Sequence, residues 1–364
     1  MDFAFTSEQE MLRGQTRSYL ADRFPIDRVI ELAESDDGWD EKSWREIAEL
    51  GWTGLSIAEA QGGSEMGFIE EAVILEEMGR ALYPGPYTAT VGFCLPALRR
   101  ADELASAIAA GELSATAAWT ESSSDDGWDG IETHAKTSDG AWSITGTKEL
   151  VPDAQTAQVF VVTAVTDEGP GLFGVRVGDR VRVEELGTVD RTRRLGRVQF
   201  EGAAATSLST GSDAAALWRE LGLRSAASLA LEAVGIAQRA LEMAIEHAGS
   251  REQFGKKIGS YEAVSHNVAN TYVATELARS LAYWAAWCVA ESDEQAEIAV
   301  AAAKSAGADA AVLACENAIQ VHGGMGFTWE HPLHRYYKRA EWIASYGGSS
   351  SAQRKVIAAS LFDR

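Results

Sequence analysis

The chain has 364 residues, 46% of them hydrophobic, and a formal net charge of −22 at pH 7. That length supplies a substantial core and roughly two or three domains' worth of material. So acidic a balance excludes nucleic acid as a partner, because binding a phosphate backbone needs a clustered basic surface; it leaves room for a small anionic ligand in a local pocket. No run approaches the roughly 20 uninterrupted apolar residues of a membrane span. The first residues carry Asp2, Glu8 and Glu10 in place of a basic start and an apolar block, so no signal peptide and a cytoplasmic location are expected. Cys94, Cys288 and Cys315 lie far apart inside apolar runs, without zinc or disulfide spacing, and are expected in the core.

From Phe3 to about Glu112 the pattern is helical. In "SEQEMLRGQTRSYLADRF" Met11, Leu12, Tyr19 and Leu20 share one side, and Ser7 with Glu10 predicts a capping box. The segment "FIEEAVILEEMGRAL" continues the theme, with "AEAQGGSEMGF" and "ALYPGPYTAT" as loops. Near residue 113 the period changes to two. The runs "SATAAWT", "AWSITGTKELV", "AQVFVVTAV", "GLFGVRV" and "RVRVEEL" alternate with "SSSDDG", "SDG" and "DEGPG". They predict a small antiparallel β domain to about Gly202, too closely spaced for crossover helices. From Ser212 on, three long Ala-rich amphipathic segments and a shorter final one predict an antiparallel four-helix bundle. The expected fold is thus mainly α with a small β domain: an N-terminal helical domain over 1–112, a β domain over 113–205 and a C-terminal bundle over 212–364.

Three loops carry chemistry. "HAGSREQFGKKIGSYEA" follows the first bundle helix with Arg251, Gln253 and Phe254, and "IQVHGGMGFTWEHPLHRYYKRA" ends the third with Gln320, Gly323 and Gly324. A guanidinium fork suits phosphate, Gln offers amide donors and acceptors, a Gly pair lets backbone N–H groups approach a pyrophosphate, and Phe254 can stack on a purine. Each loop alone also reads as an ordinary helix C-cap with a solvated basic turn. The third loop, "EWIASYGGSSSAQRKVIAASLF", has helical spacing on both sides of Gly347, Gly348 and three serines. Each helix-interior Gly costs about 1 kcal/mol relative to Ala, so something other than helix stability placed that run.

The order of the three domains, with "REQFGKKIGSYEAV", "QVHGGMGFTWEHPLHRYYKRA" and "YGGSSSAQR", resembles the acyl-CoA dehydrogenase family of flavoenzymes over essentially the whole chain. The resemblance implies FAD as cofactor. It also implies that Arg251, Gln253, Phe254, Gln320, Gly323 and Gly324 reach across a subunit interface to the pyrophosphate and adenosine of FAD bound mainly by a neighbour. In the third loop the family commonly has Tyr-Glu-Gly-Thr-Ser-x-x-Gln-Arg, whose Glu takes the α proton of the acyl-CoA. Tyr346, Gly348, Ser350, Gln353 and Arg354 coincide with that pattern, but Gly347 occupies the Glu position and cannot accept a proton. Some members place the base early in the first bundle helix, here at about Ser225, which has no adjacent base visible. Glu220 and Glu232 lie either side of it and remain candidates.

The β domain also departs from the family pattern. Thr120, Glu121, Gly146, Thr147 and Lys148 are kept, but the Trp and Thr that contact the flavin and substrate become Leu150 and Pro152. The chain has lost residues for its own flavin and kept those it would lend to a neighbour. This resembles bacterial members acting on CoA thioesters of steroid side chains, α2β2 heterotetramers in which one subunit type supplies the base. The resemblance therefore implies a supporting subunit with a homologous catalytic partner, an acyl-CoA substrate and an electron-transfer flavoprotein or similar acceptor. Two other readings stay open: a self-sufficient homotetramer with Glu220 or Glu232 as base, and a helical scaffold that has lost flavin.

Overall fold

Helix α1 (Ser7–Arg23) begins on a capping box one residue before the expected one. Thr6 is already extended (φ −68°, ψ 163°), so Ser7 falls inside the helix; Gln9 N–H donates to Thr6 Oγ1 at 3.2 Å. In return, Thr6 N–H donates to the Gln9 side chain at 3.0 Å. The computed structural model describes residues 5–122, 128 and 130–362; the helix start expected at Phe3 and the "SSDDG" part of the first β linker lie outside them. The chain is mainly helical with a smaller β region, as expected.

Five further helices precede the strands: α2 (Ile26–Glu34), α3 (Glu41–Glu49), α4 (Phe68–Ala81), α5 (Leu95–Leu98) and α6 (Asp102–Ala109). The strands are β1 (Ala115–Ala118), β2 (His134–Ser138), β3 (Ala141–Pro152), β4 (Val159–Thr166), β5 (Gly169–Arg176), β6 (Val181–Leu186) and β7 (Leu195–Ser209). Helices α7 (Ser212–Ser250), α8 (Glu262–Ala290), α9 (Ala296–His322), α10 (Leu333–Ser345) and α11 (Ser350–Phe362) follow, with a two-strand hairpin, β8 (Glu252–Gln253) and β9 (Lys256–Lys257), after α7. The final bundle segment is therefore two helices, broken at the Gly347–Gly348 run. The chain divides into two compact units: one takes the chain up to Ile30, Phe68–Tyr83 and the chain from Ala226, and the other takes Glu31–Gly67 and Pro84–Ser225.

The β region of the second unit differs from expectation in three ways. The sheet is not wholly antiparallel: β1 pairs parallel with β4, Ala115 opposite Val159. The β2–β3 hairpin lies between those strands in sequence and returns the chain in the same direction, doing the work usually given to a crossover helix. Strand β2 was not among the expected runs, because its polar "HAKTS" is exposed at four of five positions. Strand β7 extends past Gly202 to Ser209 and pairs with β3, β5 and β6. With β4 pairing β5 and touching β2 at Val165, the ladder closes around a core of Ile144, Phe160, Val162, Phe173, Val198 and Phe200. Six consecutive buried residues of β4 read as an unbroken apolar run for that reason.

In the first unit α4 and α7 cross at two glycines. A Cβ on Gly79 would lie 2.1 Å from the Glu232 carbonyl oxygen, and one on Gly235 would lie 1.9 Å from the Glu76 carbonyl oxygen. The acids beside this crossing are buried but paired. Glu76 accepts hydrogen bonds from Arg13 (3.0 Å), Arg279 (2.9 Å) and Tyr283 (2.7 Å), joining α1, α4 and α8. Although burial raises its pKa, those two guanidiniums hold Glu76 below the usual carboxylate range. Glu77 takes both arms of Arg17 (3.0 and 2.7 Å), and Arg80 forks onto Glu242. Contrary to the expectation of no candidate span, α9 and the turn after it are long and apolar enough for one by length and composition. Two-thirds of its most apolar window is buried inside the protein, and it carries Lys304 and Asp309, as a bundle's central helix does. The three cysteines are free and buried.

The crossing predicts opposite effects for two changes in one helix. Gly235→Ala should cost about 3 kcal/mol or more through backbone overlap, whereas Gly222→Ala, with nothing within 4 Å, should gain about 0.5–1 kcal/mol. Urea midpoints of the two variants check this; similar shifts would mean the helices do not approach so closely.

Candidate functional site

The bundle end carrying the two nucleotide-type loops is organised by histidines. His247 ends α7 and His322 ends α9, and their rings stack at 4.2 Å with planes 25° apart. This brings the two loops side by side. Arg251 N–H donates to the His247 carbonyl (2.9 Å), Ile258 N–H donates to the Arg251 carbonyl (2.9 Å), and β8–β9 closes as a hairpin. Tyr261 props it by donating to the Gln253 carbonyl at 3.0 Å. Arg251, Gln253, Phe254, Gln320 and Gly324 are all exposed, Phe254 at 94%. Among the described residues Arg251 and Gln320 make no side-chain hydrogen bond, and nothing lies within 4 Å of a Cβ built on Gly323 or Gly324. The Arg251 guanidinium, the Gln320 amide, a Gly-Gly turn without side chains and an exposed ring lie on these loops, groups of the kind that could hold a dinucleotide's pyrophosphate and purine.

The Gly347–Gly348 loop is built differently. Both glycines are left-handed, φ +70° and +94°, a conformation that disfavours any side chain with a Cβ. A Cβ on Gly347 would touch Leu229 at 3.4 Å. From below, Lys304 reaches this loop: its Nζ donates to the carbonyls of Ile343 (2.6 Å) and Gly348 (3.3 Å). Burial pushes this lysine down to about 8. The retained neighbours are occupied within the chain. Tyr346 stacks on Trp342 (4.7 Å), Gln353 donates to the Gly347 carbonyl (3.3 Å), and Ser350 (2.7 Å) and Arg354 both hold Asp309. The loop is thus a side-chain-free backbone turn held by the Lys304 ammonium.

Both of the other candidate acids are in ion pairs. Glu232 is 1% exposed and ion-paired with the fully buried Arg339. Glu220 is half exposed and pairs with Arg99 at 3.3 Å. Ser225 is buried and donates back to the Leu221 carbonyl at 2.6 Å, with no base beside it.

In the second unit the kept residues Glu121 and Lys148 form a buried ion pair at 2.5 Å. Burial draws Lys148 down to about 8. Glu121 stays below the carboxylate range, burial opposing but Lys148 and the Glu132 N–H prevailing. Lys148 also donates to Thr163 (2.9 Å) and the Trp119 carbonyl (3.3 Å), tying strand to loop, and Trp119 packs edge-on to Trp218 at 5.0 Å. Leu150 sits on a β-bulge between Lys148 and Val151, left-handed at φ +51° and 47% exposed. Pro152 follows with no N–H to offer, and its carbonyl is taken by Thr116. Glu121 and Lys148 thus tie the β region together, and Leu150 lies on the bulge while Pro152 is back in register opposite Leu195. Sequence reasoning missed Lys304, Arg339 and the histidines, although a lone Lys in an Ala-rich helix and four of the six histidines falling in or beside two loops were visible signals.

The Glu232 pairing makes the displaced-base reading testable. Glu232→Gln removes the carboxylate that pairs with the buried Arg339 and should cost about 3–5 kcal/mol of stability, read from urea unfolding. A displaced base would instead lose turnover with its stability unchanged.

Comparison with known proteins adds to this geometry. Residues 6–103 match the family model for the acyl-CoA dehydrogenase N-terminal domain, and residues 223–362 match that for the acyl-CoA dehydrogenase C-terminal domain. The chain is 29% identical to acyl-CoA dehydrogenase FadE27 of Mycobacterium tuberculosis, covering 98% of each. It is 32% identical to acyl-CoA dehydrogenase IpdE2 of the same species, covering 93% of this chain and 92% of that one. Among solved structures it is similar to a chain of the ChsE4–ChsE5 complex of M. tuberculosis, at TM-score 0.88 and 28% identity over the full length of both. It is also similar to a chain of the Tcur3481–Tcur3483 steroid ACAD, at TM-score 0.87 and 28% identity over 98% of each. The chain belongs to the acyl-CoA dehydrogenase family.

Proposed function

We propose that this chain is the supporting subunit of a heteromeric, cytoplasmic acyl-CoA dehydrogenase that desaturates CoA thioesters between the α and β carbons. The family is one of FAD flavoproteins, and FAD, when bound, supplies the hydride acceptor. The observation that carries the reading is the Gly347–Gly348 turn: a left-handed backbone held by the Lys304 ammonium stands where a member of this family keeps its proton acceptor. Glu232, closed in its pair with Arg339, weighs against a displaced base.

In this reading the chain acts through its open bundle end. Arg251 neutralises a pyrophosphate oxygen, the side-chain-free Gly323–Gly324 turn lets the same group come close to Gly324 N–H, Gln253 and Gln320 add amide contacts, and Phe254 covers the purine. The side chains of Arg251, Phe254 and Gln320 are exposed, and the flavin these residues complete belongs mainly to a homologous catalytic partner. Two of the similar solved structures are titled as paired-subunit proteins, one as a steroid ACAD. They support an α2β2 assembly and a bulky, steroid-type acyl group, with an electron-transfer flavoprotein or similar acceptor. A scaffold that had lost flavin gains nothing from an unpaired Arg251 beside an open Gly-Gly turn.

Co-expression with a base-bearing family member tests the proposal. The chain alone should be colourless, and the pair should be a yellow complex with about one FAD for each pair of subunits, measured by visible absorbance and native mass. A yellow homotetramer from this chain alone would sink the idea. Within the complex, Arg251→Ala should weaken FAD retention about tenfold or more, in line with losing a charged hydrogen bond worth about 1.5–3 kcal/mol. Gly347→Glu should restore no activity at this chain's own site and should cost about 1–2 kcal/mol, because φ +70° strains any side chain.

A further inference from the structure

Four of the six histidines of the sequence gather at the open bundle end. His247 stacks on His322 at 4.2 Å, His322 meets His331 at 4.4 Å, and His334 lies edge-on to Trp329 at 4.7 Å. The chemistry of a CoA-thioester desaturase does not call for them. Two hydrogen bonds orient rings of this group. Leu333 N–H donates to His331 Nδ1 at 3.3 Å, so that nitrogen carries no proton, and His322 Nδ1–H donates to the Ala318 carbonyl at 2.8 Å.

The stack is also mechanically connected to both nucleotide loops. Arg251 begins its hairpin by donating to the His247 carbonyl, and Gly323 follows His322 directly. The second loop folds back so tightly that a Cβ on Gly326 would lie 3.2 Å from His322 Cβ. Any movement of the two rings apart therefore moves Arg251 relative to Gly323 and Gly324.

Resting on the proposed FAD role of these loops, we propose that the His247–His322–His331 stack is a proton-sensitive positioning device. Neutral, it sets the spacing between the Arg251 hairpin and the Gly323–Gly324 turn; protonated, it separates them and loosens the grip on FAD. The charged groups that act on His247, His331 and His334 are positive or become so. His247 faces His322 and Arg251; His331 faces His322, His247 and His334; His334 faces Lys338 and Arg335. No carboxylate forms an ion pair with any of the four among the described residues, so two imidazolium rings at stacking distance repel one another uncompensated.

The electrostatics follow the geometry. Burial, then the neighbouring rings and cations, lowers His247 from 6.5 and takes His331 down to about 4. An unfolded or separated stack therefore binds more protons than the intact one between those limits. Stability of the stack rises with pH across that window and is lost as pH falls from 6.5 towards about 4.

The test follows FAD dissociation from the assembled complex against pH, beside a His322→Phe complex whose ring stacks but takes no proton. Wild type should release FAD about tenfold faster per pH unit and per proton taken up below about pH 6, and His322→Phe should flatten that slope. A flat wild-type profile, or the same slope in both, overturns the device. Should His322→Phe fail to fold, imidazole NMR of the wild-type full chain decides. His247 and His331 titrating below 6.5, with Gly323 and Gly324 amide signals moving in the same range, support the stack; titration of both near 6.5 overturns it. Arg251→Ala at about pH 7.5, above the histidine range, separates the two claims: unchanged FAD there removes the cofactor-lending role, while the NMR titration still judges the stack.

Discussion

The first unit is organised around the contact between Gly79 on α4 and Gly235 on α7. Backbones approach so closely there that a single methyl group on either would overlap the facing carbonyl. Close crossing places the side chains flanking each glycine deep in the protein, and several of those are acids. An unpaired carboxylate at such a depth costs several kcal/mol, so every one of them demands a cation. Arg13, Arg279 and Arg339 answer that demand from α1, α8 and α10. The crossing therefore dictates which helices can surround it.

That constraint bears on function through Glu232. A carboxylate on an apolar helix face invites reading as a base of raised pKa, yet its neighbour across the bundle is a fully buried guanidinium. The same family of interactions appears at Glu121 and Lys148, where retained residues hold the β region together. Charges that are kept for folding are consumed by folding. Arg251 and the Gly323–Gly324 turn contrast with these buried pairs, being set at the exposed end of the bundle. Lys304 makes the complementary point: below the Gly347–Gly348 turn the protein invests a buried cation in holding backbone carbonyls.

Much of this was legible in the residues. Helical and strand periods located most of the elements, because burial repeats at 3.6 or at 2 positions whatever the partners are. The exceptions had local causes. Strand β2 is an exposed polar edge with no apolar signal, and the α1 cap moved to Thr6 because Thr, like Ser, can cap and only backbone dihedrals choose between them. Parallel pairing of β1 with β4 is a property of the return path of a hairpin, which no window of residues contains.

By itself the sequence determined the helical and strand content, the family motifs and the absence of a carboxyl group at residue 347, since these depend on residue identity and local periodicity. Only the tertiary structure decided that Glu232 is locked by Arg339, that Lys304 reaches the Gly348 carbonyl and that four histidines gather beside two loops. Those partners are 107, 44 and up to 87 residues apart along the chain. Their meeting is set by how closely helices pack, through contacts such as Gly79 on Gly235, and packing distance is not encoded at any single position.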